Sequence, residues 1–141
     1  MTGLLVVVLT LALASVVGLR LQRSGRRLAA EGAAAGEPTV TLSQADLGAE
    51  LGARATLVQF SSAFCAPCRT TRVVLGGVSR LVDGVTYVEV DAESNLELVR
   101  RLDVRRTPTV LVLDATGAVV RRASGAPRKA DVLAALGAAV A

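Results

Sequence analysis

From Gly3 to Leu19 the chain runs without a charge, and only Thr10 and Ser15 interrupt its apolar pattern. At 1.5 Å per residue a helix over this run is about 26 Å long, close to the hydrocarbon core of a bilayer. A helix packed in a globular core is apolar on one face, not on every face. The pattern therefore predicts a transmembrane anchor over residues 1–22, with Arg20 snorkelling to the interface. A cleaved export signal is the competing reading, but Met1, Thr2 and Gly3 supply no basic flank in front of the apolar run. Residues 23–38 are dominated by Ala, Gly and Arg and read as a flexible tether. One domain is expected over residues 39–141.

Within that domain the periodicity alternates between short apolar runs and amphipathic stretches. Thr39–Leu42 is β-prone, and Ser43 is placed to cap a helix running to Leu51. Thr56–Phe60 reads as a buried strand. A helix follows over Ala66–Val82, with Val73, Val74, Leu75, Val78 and Leu81 expected to face the core. Val85–Val90 is the next strand, and Ser94–Leu102 a helix burying Leu96, Val99 and Leu102. Thr109–Leu113 and Ala118–Ala123 form a hairpin around the turn at 114–117. Pro127 opens a last helix to Val140, with Val132, Leu133, Leu136 and Val140 facing inward. The order β-α-β-α-β-α-β-β-α implies an α/β fold: parallel strands joined by crossover helices, with an antiparallel hairpin at the carboxyl end.

Composition narrows the function. Histidine is absent, which excludes His-based triads and His-ligated zinc or haem. Aromatics make up 2% of the chain: Phe60, Phe64 and Tyr87. The net charge is +4, but Arg20, Arg23, Arg26 and Arg27 lie beside the apolar run; from residue 38 onward 12 bases face 10 acids. Nucleic-acid binding needs clustered bases interleaved with aromatics, and that arrangement is missing. The four arginines follow the apolar run and none precedes it, so the positive-inside rule puts the domain on the cytoplasmic side of a cell membrane crossed once.

Two cysteines remain, Cys65 and Cys68, in the run Phe64-Cys65-Ala66-Pro67-Cys68-Arg69. Two thiolates are too few for a zinc site, and no metal is expected. The pair sits where a buried strand gives way to a helix, and thiols two residues apart in a first helical turn can close a small disulfide. The positions are unequal. Cys65 at the helix start has unpaired amides and the helix dipole to stabilise a thiolate; Cys68, one turn on, has less of either. Cys65 is the expected nucleophile and Cys68 the resolving thiol.

With that motif on a strand-to-helix turn, residues 39–141 resemble the thioredoxin family. The likeness rests on LVQF before the motif, CAPC itself, VEVD in the middle strand, TPT at 107–109, the turn from Asp114 to Gly117, and Gly125. It implies a thioredoxin fold with a central mixed sheet, a cis Pro108 against Cys65, and a Thr107 backbone that pairs with an extended substrate. It also implies substrate contacts from Phe64, Ala66 and Pro67, protein disulfides as substrates, an external electron donor and no cofactor. The activity implied is a thiol–disulfide oxidoreductase, acting as a reductase. An inactive thioredoxin-fold interaction module and an exported reductase or oxidant are the alternatives. Some positions depart from the family pattern. Gln59 stands where a buried Asp is usual, Tyr87 where its Lys partner is usual, Phe64 where Trp is usual, and Val73 where a proline often kinks the helix. Losing both members of a buried charge pair together is energetically coherent.

Overall fold

The computed structural model describes residues 40–141, together with Val6, Val8 and residues 10–16. The chain divides into two units, Met1–Ala34 and Ala35–Ala141. In the first, the described residues are helical. The hydroxyl of Thr10 donates to the Val6 carbonyl and that of Ser15 to the Leu11 carbonyl, while Val6, Leu11 and Leu13 are exposed. Among the described residues no helix is long and apolar enough to cross a membrane. Most of the expected anchor, the whole tether and Thr39 lie outside them.

The second unit is built on a four-stranded sheet. Its elements are α1 (Gln44–Leu47), β1 (Ala55–Ser61), α2 (Ala66–Leu81), β2 (Val85–Asp91), α3 (Leu96–Arg101), β3 (Thr109–Asp114), β4 (Val119–Ser124) and α4 (Lys129–Ala139). The strand order is β2-β1-β3-β4. β1 pairs parallel with β2 and antiparallel with β3, and β3 pairs antiparallel with β4. The mixed sheet expected from the sequence is present.

All seven residues of β1 are buried because both faces of the sheet are covered. Strand alternation sends Val58 and Phe60 to one face, where they meet Leu42, Leu47, Leu98 and Leu102. Ala55 and Leu57 point to the other, against Leu75, Val78, Val132 and Leu136. Gln59 shares the parity of Leu57 and so points toward α2, the helix that carries the cysteines.

Several expectations are corrected. The helix begun by Ser43 ends at Leu47 rather than Leu51, because Gly48 takes a left-handed φ of 65° and its N–H closes on the Gln44 carbonyl. The first β-prone run is reduced to one bridge, Thr41 to Ala118. On α2, Val73 is 73% and Leu81 66% exposed; Cys68, Thr71, Leu75 and Val78 form the buried face. Thr71 is tolerated there because its hydroxyl donates to the Pro67 carbonyl at 2.9 Å. The third helix is confined to Leu96–Arg101 and turns Leu98 inward while Leu96 is exposed. The last helix starts at Lys129, two residues after Pro127, and leaves Leu133 outside.

Candidate active site

The carboxyl end of β1 and the amino end of α2 meet at the cysteines. Cys65 is the N-cap residue of α2, and its Sγ accepts the Cys68 backbone N–H at 3.2 Å. Pro67 falls in the first turn, where a missing N–H costs no helical bond. The two cysteines are joined as a disulfide with an S–S length of 2.00 Å. Cys65 is half-buried, whereas Cys68 is only 2% exposed. An attacking thiol has to be reached by its substrate and a resolving thiol only by its neighbour, and of the two sulfur-bearing residues Cys65 is the more reachable.

The loop before β3 closes the other side. The Thr107–Pro108 peptide bond is cis, as the resemblance implies. Pro108 is buried, and the Thr107 and Ser62 hydroxyls are 2.7 Å apart, tying this loop to the segment leading into the motif. The Gly125 N–H donates to the Pro108 carbonyl at 2.7 Å, so the end of β4 is drawn into the same rim. Ala66 and Pro67 are exposed, and Phe64 projects fully into solvent from a backbone φ of 58°. A positive φ is costly for an aromatic residue, by about 1–3 kcal/mol, and it turns the ring away from the core.

Beneath the disulfide lies a polar network. The fully buried Gln59 amide donates from Nε2 to the Cys68 carbonyl and to Ser61 Oγ, both at 2.9 Å. Because the carbonyl can only accept, the amide has one orientation, and its Oε1 receives the Tyr87 hydroxyl at 2.9 Å. That hydroxyl also lies 3.1 Å from Glu89 Oε2, so one proton serves two acceptors. Arg72 grips Glu89 with two bonds of 2.6 Å. Burial, followed by the charge of Glu89, pushes the Tyr87 phenol well above its ordinary range. The bonds from Arg72 hold Glu89 below the usual carboxylate range. No buried side-chain N or O among the described residues lacks a partner.

The sequence profile of the family described as Thioredoxin matches residues 38–138. The chain belongs to the thioredoxin family. It is 33% identical over 64 residues to mouse Thioredoxin domain-containing protein 8, covering 45% of this chain and 50% of that one. Rice (Oryza sativa subsp. japonica) Thioredoxin H5 is 32% identical over 60 residues, covering 43% of this chain and 44% of its own. The chain thus spans half or less of the length of these curated relatives. Fasciola hepatica thioredoxin, a solved structure, superposes with a TM-score of 0.54 at 23% identity, over 62% of this chain and 83% of that one. At that identity the likeness is one of fold.

This thioredoxin domain carries the Cys65–Cys68 disulfide pair, but two neutral residues, Gln59 and Tyr87, backed by the Arg72–Glu89 ion pair, stand where the family places an acid and a lysine. Gln59 and Tyr87 were visible in the sequence as departures; Ser61, Arg72 and Glu89 were not singled out. Tyr87 and Glu89 are two apart on a strand and share a face, which is a signal for their contact. Arg72 lies 17 residues before Glu89, and only the crossover from α2 to β2 brings them together. Among the described residues no group of His, Cys, Asp and Glu is arranged to hold a metal ion.

Proposed function

We propose that the protein is a membrane-tethered thiol–disulfide oxidoreductase that reduces protein disulfides on the cytoplasmic side. The observation that carries the reading is the inequality of the two cysteines: Cys65 reachable and capping a helix, Cys68 buried one turn on. In the reduced state the Cys65 thiolate attacks a substrate disulfide, forming a mixed disulfide and expelling one substrate thiolate. Cys68, deprotonated, then attacks Cys65 Sγ, closing the Cys65–Cys68 disulfide and releasing the second substrate thiolate. Two electrons pass to the substrate, its thiolates take up protons, and an external dithiol donor restores the pair. Pro108 and the Thr107 backbone would hold the substrate strand beside Cys65, with Phe64, Ala66 and Pro67 forming the exposed ledge around it.

Two features support the tether. The apolar run from Gly3 to Leu19 is long enough for a bilayer, and its described residues are helical with their apolar side chains exposed, an arrangement that lipid favours and water does not. The arginines following it favour retention of the domain in the cytoplasm, each by about 1 kcal/mol near an anionic leaflet. A reducing compartment makes reduction the direction of electron flow.

The chemical test is reduction of an insulin-like disulfide with dithiothreitol as donor. Cys65→Ser abolishes it, and Cys68→Ser accumulates a mixed disulfide; full activity of Cys65→Ser would overturn the assignment. The topological test fuses after Ala141 a reporter active only outside the membrane. Strong reporter activity would put the domain on the other face.

A further inference from the structure

Charge is unevenly divided around the disulfide. Antiparallel pairing of Phe60 with Thr109 and of Thr109 with Ser124 brings the carboxyl end of β1, the amino end of β3 and the carboxyl end of β4 to one rim. On the β2 side of that rim the charges are Asp91 and Glu93. On the β3–β4 side, residues 104–109 and 124–130 hold Arg105, Arg106, Arg128 and Lys129 and no acid. Arg105 pairs with Asp103 and Arg128 with Asp131, leaving Arg106 and Lys129 in excess. Arg69, beside Cys68, is exposed and adds a third uncompensated charge.

Arg106 is the best placed of these. It immediately precedes Thr107 in the loop that ends at the cis peptide bond. One guanidinium nitrogen donates to the Ser124 carbonyl at 3.1 Å, so the side chain bridges the loop before β3 and the end of β4. Gly125, next to Ser124, takes the positive φ of 94° with which β4 ends at this bridge. A guanidinium has five N–H donors, and holding one carbonyl fixes its plane while leaving a fork for a carboxylate. Its Thr109-side anchor is firm as well: the Thr109 hydroxyl donates to the Arg106 carbonyl at 2.7 Å.

We infer that the substrates are disulfide-bearing polypeptides with acidic residues flanking the reactive cysteine, recognised by Arg106 with Arg69 and Lys129 in support. The inference rests on the oxidoreductase reading above and names its substrate class. A strand paired against Thr107 lies about 4.8 Å away and alternates its side chains, so a carboxylate near the cysteine meets the guanidinium fork. The acids Asp91 and Glu93 on the opposite side repel the same peptide in a reversed or shifted pose, which adds register to affinity.

The experiment uses the full chain in non-ionic detergent with dithiothreitol as donor. Two synthetic peptide disulfides are compared, identical except that the residues beside one cysteine are Glu in one and Gln in the other. The Glu peptide is expected to show about fivefold higher kcat/KM at low salt, a preference fading toward onefold near 1 M salt. Arg106→Gln brings the Glu-to-Gln ratio below about twofold, Arg106→Lys keeps part of it, and Arg80→Gln, far along α2, keeps all of it. Equal rates for the two peptides, or a preference that survives Arg106→Gln, would overturn the specificity. Reduction of neither peptide would overturn the oxidoreductase reading and the specificity with it.

Discussion

Exchanging Gln59 for aspartate is the sharpest perturbation of the network under Cys68. The side chain is fully buried, and its Nε2 donates to both the Cys68 carbonyl and Ser61 Oγ. Aspartate is one methylene shorter, a packing loss of about 1 kcal/mol. While protonated it can still donate to one of those oxygens; ionised, it opposes a carbonyl in a site without solvent. Burial of this kind raises a carboxyl by roughly 2–4 units, and each unit is worth about 1.36 kcal/mol. The folded pKa then lies above the unfolded value near 3.9, so the penalty is absent below about pH 4 and grows as pH rises through the folded pKa. Gln59→Asp should therefore cost about 1 kcal/mol at pH 4 and about 4–6 kcal/mol at pH 8. The assay is urea unfolding of oxidised residues 35–141 at both pH values. Adding Tyr87→Lys should restore roughly 2 kcal/mol at pH 8 and little at pH 4. The new carboxylate would also be poised to take the Cys68 proton, speeding release of a substrate trapped on Cys65 near neutral pH. An equal loss at pH 4 and pH 8 together with unchanged release would refute the reasoning.

Further expectations follow from other parts of the domain. Gly117→Ala should lower stability by about 3 kcal/mol or more and Tm by over about 12 °C, since its Cβ would lie 2.2 Å from the Leu42 carbonyl oxygen at a φ of 85°. Asp46→Ala should cost about 1 kcal/mol at pH 7, because Asp46 closes a capping box with Ser43 and pairs with Arg101. Its carboxyl is held down to about 2, chiefly by the Ser43 backbone N–H, so the contribution is present above about pH 4 and lost as pH falls through 2. Melts of the variant and the parent should converge there. Leu75→Ala should cost about 3 kcal/mol in urea unfolding, whereas Val73→Ala should cost less than about 0.5, the two together testing which face of α2 is buried.

The strands and the cysteine turn were legible because each carries a strong local signal: a compact apolar run bounded by turn residues, and a spacing with chemical meaning. Helix faces were less so. On α2 the apolar residues at 73, 74, 75, 78 and 81 fit more than one stripe, and the choice fell to Thr71, a polar residue whose hydroxyl is satisfied within its own helix. In α1 the local stop outweighs the periodicity: Gly48 ends the helix although Leu51 continues its period. Arg106 was legible only as one of a pair of surface bases. The hairpin of β3 and β4 was legible, but the side-chain bridge across its open end, from Arg106 to the Ser124 carbonyl 18 residues on, has no signal in the sequence pattern.

The one-bridge contact at Thr41 has a mechanical meaning. The Leu42 N–H donates to the Gly117 carbonyl and the Val119 N–H to the Val40 carbonyl, clamping the start of the described domain to the β3–β4 turn. That turn lies at the opposite end of the sheet from Cys65, the seven residues of β1, about 23 Å of strand, separating the two. Force arriving along the chain from upstream is therefore taken up at the pole remote from the disulfide. The redox pair sits at the other pole of the same domain, so tension entering at residues 40–42 need not disturb the rim around the disulfide.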